Sequence, residues 1–366
     1  MILNKVVLIF LGDFFYDARC QNMADTIIES GAQLHIIDAG KYGQKYKEIK
    51  IHRIELPQKG WSKFLIFYLR AKQILINLNP DIVIASDLFS LPISQFSINA
   101  YKVYDSRELY THLGGLSNKP LKQFFWSQVE KFYINKVDSI LVTAPGDAEI
   151  LENKYKKLNI YVIYNYPKLS MKPVNTNNLR KKLNIDISTT IFLYQGVLHN
   201  GRGIIKMLEI MHHFKDANAI IIGDGPYKEN LFNYIIANSL NDKVFFIDAV
   251  PYKKLLELTV EADIGFSLIE PLSISYEQAL PNKLFEYALS GVAVIASNLP
   301  EMKRVVEKYN IGYCVPLNNL KSQVEAVKRV LEDNNGRSIQ KMAEKKLNWE
   351  IQTSKFLKAI NINEFN

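Results

Sequence analysis

"ALPNKLFEYALSGVAVIASNLPE", residues Ala279–Glu301, reads as a helix followed by a strand. Leu284, Phe285, Tyr287, Ala288 and Leu289 leave the helix no polar stripe, and a helix apolar on all sides is buried. Val292–Ile295 is a run of apolar residues, the signature of a strand covered on both faces. Into this apolar unit the sequence sets Asn282 and Lys283 at the helix start and Glu286 one turn further in. A helix N-terminus offers unpaired N–H groups and the positive end of a macrodipole, so it attracts phosphate. Pro281 suits the start, Asn282 suits the cap, and Lys283 adds a full charge in the first turn. A carboxylate one turn beyond can accept hydrogen bonds from both hydroxyls of a ribose whose diphosphate rests on that tip. A solvated surface position for Glu286 fits its apolar neighbours poorly. The stretch points to nucleotide diphosphate binding.

Outward from it, short apolar runs alternate with helix-period stretches along the whole chain. "KVVLIFLG", "AQLHIID", "DIVIAS", "YKVYDS", "DSILVT" and "IYVIYN" are strands of a first half, with helices such as 21–30 and 121–135 between them. The polar stretch "YPKLSMKPVNTNN" around Pro167 interrupts the pattern as a linker. "TIFLYQG", "ANAIIIGDG", "KVFFIDA", "DIGFSLI", "VAVIASN" and "GYCVPL" then restart it, separated by helices over 204–214, 227–239, 252–261 and 284–290. Alternation of this kind means parallel sheets covered by helices. The expected fold is α/β: two Rossmann-like doubly wound domains facing a central cleft, where the carboxyl ends of open sheets bind ligands. The boundaries read as residues 1–168 for a first domain, 169–345 for a second, and 346–366 for a C-terminal helix packing back on the first.

With 366 residues, 48% apolar and 22% charged, the chain can bury two cores and carries no low-complexity tract. No apolar run reaches the roughly 18 residues of a membrane span, and "MILNKVVLIF" has no cleavage-site pattern, so a cytoplasmic protein is expected. Cys20 and Cys314 flank no second thiol or histidine at ligand spacing and read as small core residues. Neither an Asp-x-Asp pair nor a His/Asp/Glu cluster occurs, so no metal site is expected. The net charge of +8 is uneven: Lys41 to Lys72 holds nine Lys or Arg against Glu48 and Glu55. This stretch interleaves Tyr42, Tyr46, Trp61, Phe64, Phe67 and Tyr68, which fits contact with an anionic membrane surface. Phe64, Phe67, Tyr68 and Leu75 also have the spacing of a helix face that covers a sheet. No reading module for nucleic acid accompanies the charge.

Together with "YQGVLHNGRGI" (194–204) and "IIIGDGPYKENL" (220–231), the stretch Ala279–Glu301 resembles the C-terminal half of the retaining glycosyltransferases of family four, which have the GT-B architecture. The resemblance covers roughly 191–317 well and the first half loosely. It implies that Glu286 binds the donor's ribose and that Gly196, Gly223, Asp224, Asn282 and Leu284 line the nucleotide site. The family's second glutamate, near the donor sugar, lies eight residues earlier, where this chain has Gln278 with Glu277 beside it. The family's Gly-Arg reads Gly196-Val197 here, and Arg202 stands where its lysine would be. Arg202 can grip a diphosphate bidentately and Lys283 can supply the second charge. "GDGP" and Asp248–Pro251 are either contacts to the nucleotide or ordinary turns after strands.

In the first half, Gly12 ends the first strand, and the resemblance implies that its loop approaches the donor phosphates. Asp17 and Arg19 match a short family motif and equally suit capping of the first helix. "VYDSRELYTHLGG" resembles the family's Asp-x-His-Glu segment, with Arg107 in place of histidine. Arginine is no base at neutral pH, so Asp105, Glu108 and His112 become the candidates; Arg107 either binds an anion or joins a network with Glu108.

Glycosyl transfer builds negative charge on the leaving diphosphate, which preorganised cations stabilise. The catalytic candidates are Arg202, Lys283, Glu277 and Glu108. The resemblance implies a retaining, metal-independent transferase that moves a hexose from a UDP-, GDP- or other nucleotide diphosphate sugar to a glycan or lipid-linked acceptor in surface polysaccharide synthesis, with no resident cofactor. A non-catalytic nucleotide-sugar-binding scaffold and a GT-B epimerase are the alternatives.

Overall fold

The computed structural model describes residues 4–40, 46–47, 49–57, 60–110, 120–156 and 159–362; His112 and part of the basic run, Lys41 and Tyr42 included, lie outside them. The chain forms two compact units, Met1–Tyr164 with Gln352–Asn366, and Asn165–Ile351.

In the first unit the strands are β1 (Lys5–Ile9), β2 (Gln33–Asp38), β3 (Lys50–Arg53), β4 (Ile82–Ala85), β5 (Tyr101–Ser106), β6 (Ser139–Val142) and β7 (Ile160–Val162). They make one sheet in the order β3-β2-β1-β4-β5-β6-β7, parallel throughout. The central strands are apolar because helices cover both faces: Val6, Val7, Leu8 and Ile9 have no exposed surface. β3, "KIHR", escaped the sequence reading because an edge strand need not be apolar. The first strand stops at Ile9, three residues short of the "KVVLIFLG" run, and Leu11 and Gly12 belong to the loop beyond. The chain's last described turns pack in this unit: Ser139 Oγ donates to Ala359 O at 2.6 Å, and the Gln352 amide exchanges two hydrogen bonds with the Tyr164 main chain. Phe356 is fully buried there.

The second unit carries β8 (Thr190–Gln195), β9 (Ala217–Ile222), β10 (Val244–Ile247), β11 (Ile264–Ser267), β12 (Ala293–Ser297) and β13 (Gly312–Val315), all parallel in the order β10-β9-β8-β11-β12-β13. Both sheets grow outward from a first strand and then return to its other side. The switch points, where such sheets bind ligands, are therefore at β1/β4 and at β8/β11. Helix Pro300–Tyr309 starts in the last two residues of the quoted stretch, and Leu320–Asp333 and Gly336–Lys346 follow; all three lie beyond the helices read from the sequence. Cys20 is buried and Cys314 partly buried, both with free thiols.

The quoted helix, Lys283–Leu289, is buried at every position. Tyr287 sets its height: the ring lies against Gly265 of β11, and its hydroxyl donates to Leu193 O at 3.2 Å. A Cβ on Gly265 would lie 2.4 Å from that ring. Gly265→Ala should therefore lift the helix from the sheet and cost about 1–3 kcal/mol, read as a lower denaturation midpoint; an unchanged midpoint would mean that Tyr287 does not set the packing distance.

Candidate functional site

At the carboxyl end of β8 a polar network crosses an otherwise apolar core. The Thr259 hydroxyl donates to Gln195 Oε1 at 2.7 Å, and Gln195 Nε2 donates to Glu286 Oε2 at 2.5 Å. The Tyr252 hydroxyl bonds the same carboxylate. Thr259, Gln195 and Glu286 are all buried. A carboxylate taken out of water needs such donors to remain charged. Burial still raises the Glu286 pKa above the ordinary range, against the hydrogen bond from Gln195, the Lys283 charge and the hydrogen bond from Tyr252.

Lys283, one turn before Glu286, is 8% exposed. Its Nζ lies 3.7 Å from the centre of the Tyr194 ring, a cation–π contact. Arg202 lies within electrostatic reach, its guanidinium 4.8 Å from the centre of the Tyr276 ring. Burial first, and then the Arg202 charge, lower the Lys283 pKa to about 7 from the ordinary 10.5, against the pull of Glu286. Two cations close together, both on aromatic faces and one out of water, form a place where an anion gains more than it does in solvent.

Glycines let the loops around these cations close up. Gly196 has φ +122°, and the Lys283 ammonium lies 3.8 Å from where its Cβ would be. Gly223 has φ +147°, and a Cβ there would sit 2.0 Å from Gly196 O. Leu198 N–H donates to Asp224 O at 3.0 Å, and Tyr227 N–H to Leu198 O at 3.1 Å. The glycines of "GDGP" thus bring two backbone loops into contact, a reason that the sequence reading did not contain.

The other candidates of this unit lie as follows. Asn282 is exposed at the N-cap, and its side chain makes no capping hydrogen bond. The Leu284 side chain is fully buried, and its N–H donates to Pro281 O at 3.2 Å. Asp224 is exposed, accepts from Gly225 N–H at 2.8 Å and stands 3.9 Å from Lys228, which pairs with Asp248 at 2.7 Å. Glu277 is exposed at the end of the short helix Ile274–Glu277, directly after Tyr276, and Gln278 is partly buried. The residues brought together are Gln195, Gly196, Arg202, Lys283 and Glu286; Glu277 neighbours them through Tyr276.

In the first unit Gly12 packs over the Phe10 ring. Asp17 caps the helix Ala18–Glu29, accepting from Cys20 N–H at 2.8 Å. Arg19 pairs with Asp105 at 2.6 Å and donates to Ile163 O. Arg107 pairs with the same Asp105 at 3.0 Å and with Asp17. Burial raises the Asp17 pKa, but Arg107 and the Cys20 N–H outweigh it and hold the carboxyl below its ordinary value. The Arg107 network therefore runs inward to Asp105 and Asp17. Glu108, two residues before the described segment ends at Tyr110, is exposed. Asp87, absent from the sequence reading, is buried after β4 and accepts from Leu11 N–H at 2.5 Å and Ser90 N–H at 2.6 Å. Among the described residues no three His, Cys, Asp or Glu side chains cluster as metal ligands.

Residues 175–349 match the family described as glycosyl transferases group 1. The chain has the GT-B fold. Sucrose-phosphate synthase from Thermosynechococcus elongatus superposes with a TM-score of 0.81 at 15% identity, over 97% of this chain and 98% of its own. A glycosyltransferase from Rickettsia africae gives 0.75 at 15% identity, over 99% and 98%. Anabaena HepE in complex with UDP-glucose gives 0.77 at 13% identity, over 97% and 100%. No curated protein sequence matches.

The low Lys283 pKa has a measurable consequence. From about pH 7 upward the folded protein sheds a proton that the unfolded chain keeps until about 10.5, so this group's contribution makes the fold more stable as pH rises through that window. Lys283→Met should remove the effect: the native protein should gain stability relative to the variant between pH 7 and 9, read by urea denaturation. A pH-independent difference would contradict a buried, repelled ammonium.

Proposed function

We propose, from the glycosyl transferases group 1 domain that residues 175–349 form, that the chain is a retaining, metal-independent glycosyltransferase that moves a hexose from a nucleotide diphosphate sugar to a glycan or lipid-linked acceptor in surface polysaccharide synthesis. The observation that carries the reading is the buried Glu286, fixed by Gln195 and Tyr252 one helical turn from Lys283, which in turn lies within reach of the Arg202 charge. A ribose hydroxyl pair on Glu286 and a diphosphate on the two cations match that spacing and charge. HepE, crystallised with UDP-glucose, supports a UDP-sugar as the first donor to try.

The chemistry follows from charge. As the anomeric bond lengthens, negative charge grows on the diphosphate, and Arg202 and Lys283 stabilise it more than they stabilise the ground state. A donor diphosphate raises the Lys283 pKa, so binding takes up a proton near neutral pH. These cations take the part a divalent metal plays elsewhere. Glu277 serves the donor sugar, and Glu108 serves the acceptor hydroxyl. Asp105, held by Arg19 and Arg107, is the poorer base. Retention by front-face attack with phosphate assistance comes with the family likeness. The same reading includes peripheral contact with an anionic membrane from the cytoplasmic side through Lys41 to Lys72. A binding scaffold without turnover is the second reading, favoured by the engagement of Arg107 with two carboxylates; release of the hexose from a bound donor would dismiss it.

Two substitutions test the site. Glu286→Gln should raise the donor Kd roughly 10- to 100-fold, the worth of hydrogen bonds to a charged group, in calorimetric titration with UDP-glucose and GDP-mannose. Arg202→Ala should lower kcat by roughly 100-fold or more with a smaller change in KM. Native constants in both variants would refute the proposal.

A further inference from the structure

β3 is an edge of the first sheet, four residues long and paired with β2. Its two faces are fastened differently. On the face it shares with Val7, Ile9 and Ile37, His52 meets His35 of β2: His35 Nδ1 and His52 Nε2 are 3.1 Å apart, and the ring planes are within 20° of parallel. His35 is 7% exposed. On the other face Arg53, the next residue, lies 3.4 Å from the buried Asp38 and 3.5 Å from Asp13, with its guanidinium 4.9 Å from the centre of the Phe15 ring. Those two carboxylates hold the turn Phe14–Tyr16 that follows β1: Asp38 accepts from Phe14 N–H at 3.2 Å and Asp13 from Phe15 N–H at 3.0 Å.

Two imidazole nitrogens at this distance share one proton, one ring donating and the other accepting. A second proton sets two N–H groups against each other. The surroundings give that charge no help. Lys5 of β1 and Lys50 at the start of β3 act on the pair, no carboxylate does, and the helix Ser62–Leu78, whose Phe67, Ala71 and Leu75 cover this face, has no acid in its sequence. Burial first, then Lys50 and Lys5, lower the His35 pKa; burial, then His35 and Lys50, lower that of His52. The unfolded chain takes up these protons near the ordinary 6.5, so the pair's contribution to stability is present above that pH and is lost as pH falls below it.

We infer that the His35–His52 pair is an acid-sensitive latch: when both rings are charged, β3 parts from β2, and the turn Phe14–Tyr16 loses the cation that steadies it. The latch acts at the carboxyl end of β1 and is independent of the transferase reading. An edge strand this short opens locally at small cost, so the two imidazoles are a large share of what holds it. Its departure withdraws Arg53 from Asp13 and Asp38. A buried carboxylate deprived of its cation is strongly unfavourable, and the turn whose N–H groups it accepts must follow the strand.

The test is hydrogen exchange of the full chain, read by mass spectrometry at about pH 7.5 and about pH 5 and compared at matched intrinsic exchange. Protection of residues 50–53 and 14–16 should fall together at the lower pH, by roughly tenfold or more, while β4, β5 and β6 stay protected. His52→Phe keeps a ring and removes one proton site, so the joint loss should disappear. Lys50→Glu, at an exposed position, sets a carboxylate near the pair and should move the loss to lower pH. That surface variant decides the matter if the His52→Phe chain fails to fold. Unchanged protection in acid, a loss confined to residues 50–53, an equal loss across the whole sheet, or the native acid response in either variant would overturn the inference.

Discussion

The hydrogen bond between Gln195 and Glu286 fixes three elements at once. It ties the last residue of β8 to the quoted helix, and the bonds of Thr259 and Tyr252 add the helix Tyr252–Thr259. A buried carboxylate tolerates little displacement, because each lost donor leaves charge without a partner, a larger penalty than the net worth of one hydrogen bond. The Glu286 carboxylate is therefore aimed before any ligand arrives. Its register along the helix is set independently by Tyr287 against Gly265. Two unrelated constraints, one polar and one steric, hold the same seven residues.

Lys283 shows the opposite balance. It shares the helix and the burial of Glu286, yet desolvation first, and then the Arg202 charge, act against its proton. An ammonium held in that way gains more from a nearby negative charge than one in water does, because burial removes the screening. The glycines nearby contribute through geometry. Close contact of the loops after β8 and β9 requires Gly223 and Gly225 to lack side chains, and Gly203 lies where a Cβ would meet Leu268 O at 1.9 Å.

Much of this was legible in the sequence. The all-apolar helix, the alternation of strands with helices and the polar residues at Asn282, Lys283 and Glu286 follow from local patterns. What was not legible depends on contacts between distant residues. Gln195 and Glu286 are 91 positions apart, and Tyr252 reads only as the start of a helix over 252–261 until the fold turns it toward a carboxylate. The trace that was available is Gln195 itself, an amide closing the apolar run "TIFLYQ". Arg107 reads from the sequence as either an anion site or part of a network with Glu108, and the partners the fold adds, Asp105 and Asp17, come from other parts of the β5 and first-helix segments.

The two units, alike in topology, differ in charge at their switch points. Near β1 and β4, Arg19 and Arg107 stand among Asp17, Asp87 and Asp105, so the carboxylates match or exceed the cations. Near β8 and β11, Lys283 and Arg202 stand with the buried carboxylate Glu286 and the rings of Tyr194 and Tyr276. A diphosphate meets repulsion or balance in the first environment and net attraction in the second. Hydroxyl-rich, uncharged molecules gain most where paired carboxylates and N–H groups supply hydrogen bonds without net charge. The fold thus offers the same switch point twice, and the side chains at the ends of β8 and of the quoted helix give the second one the more positive environment.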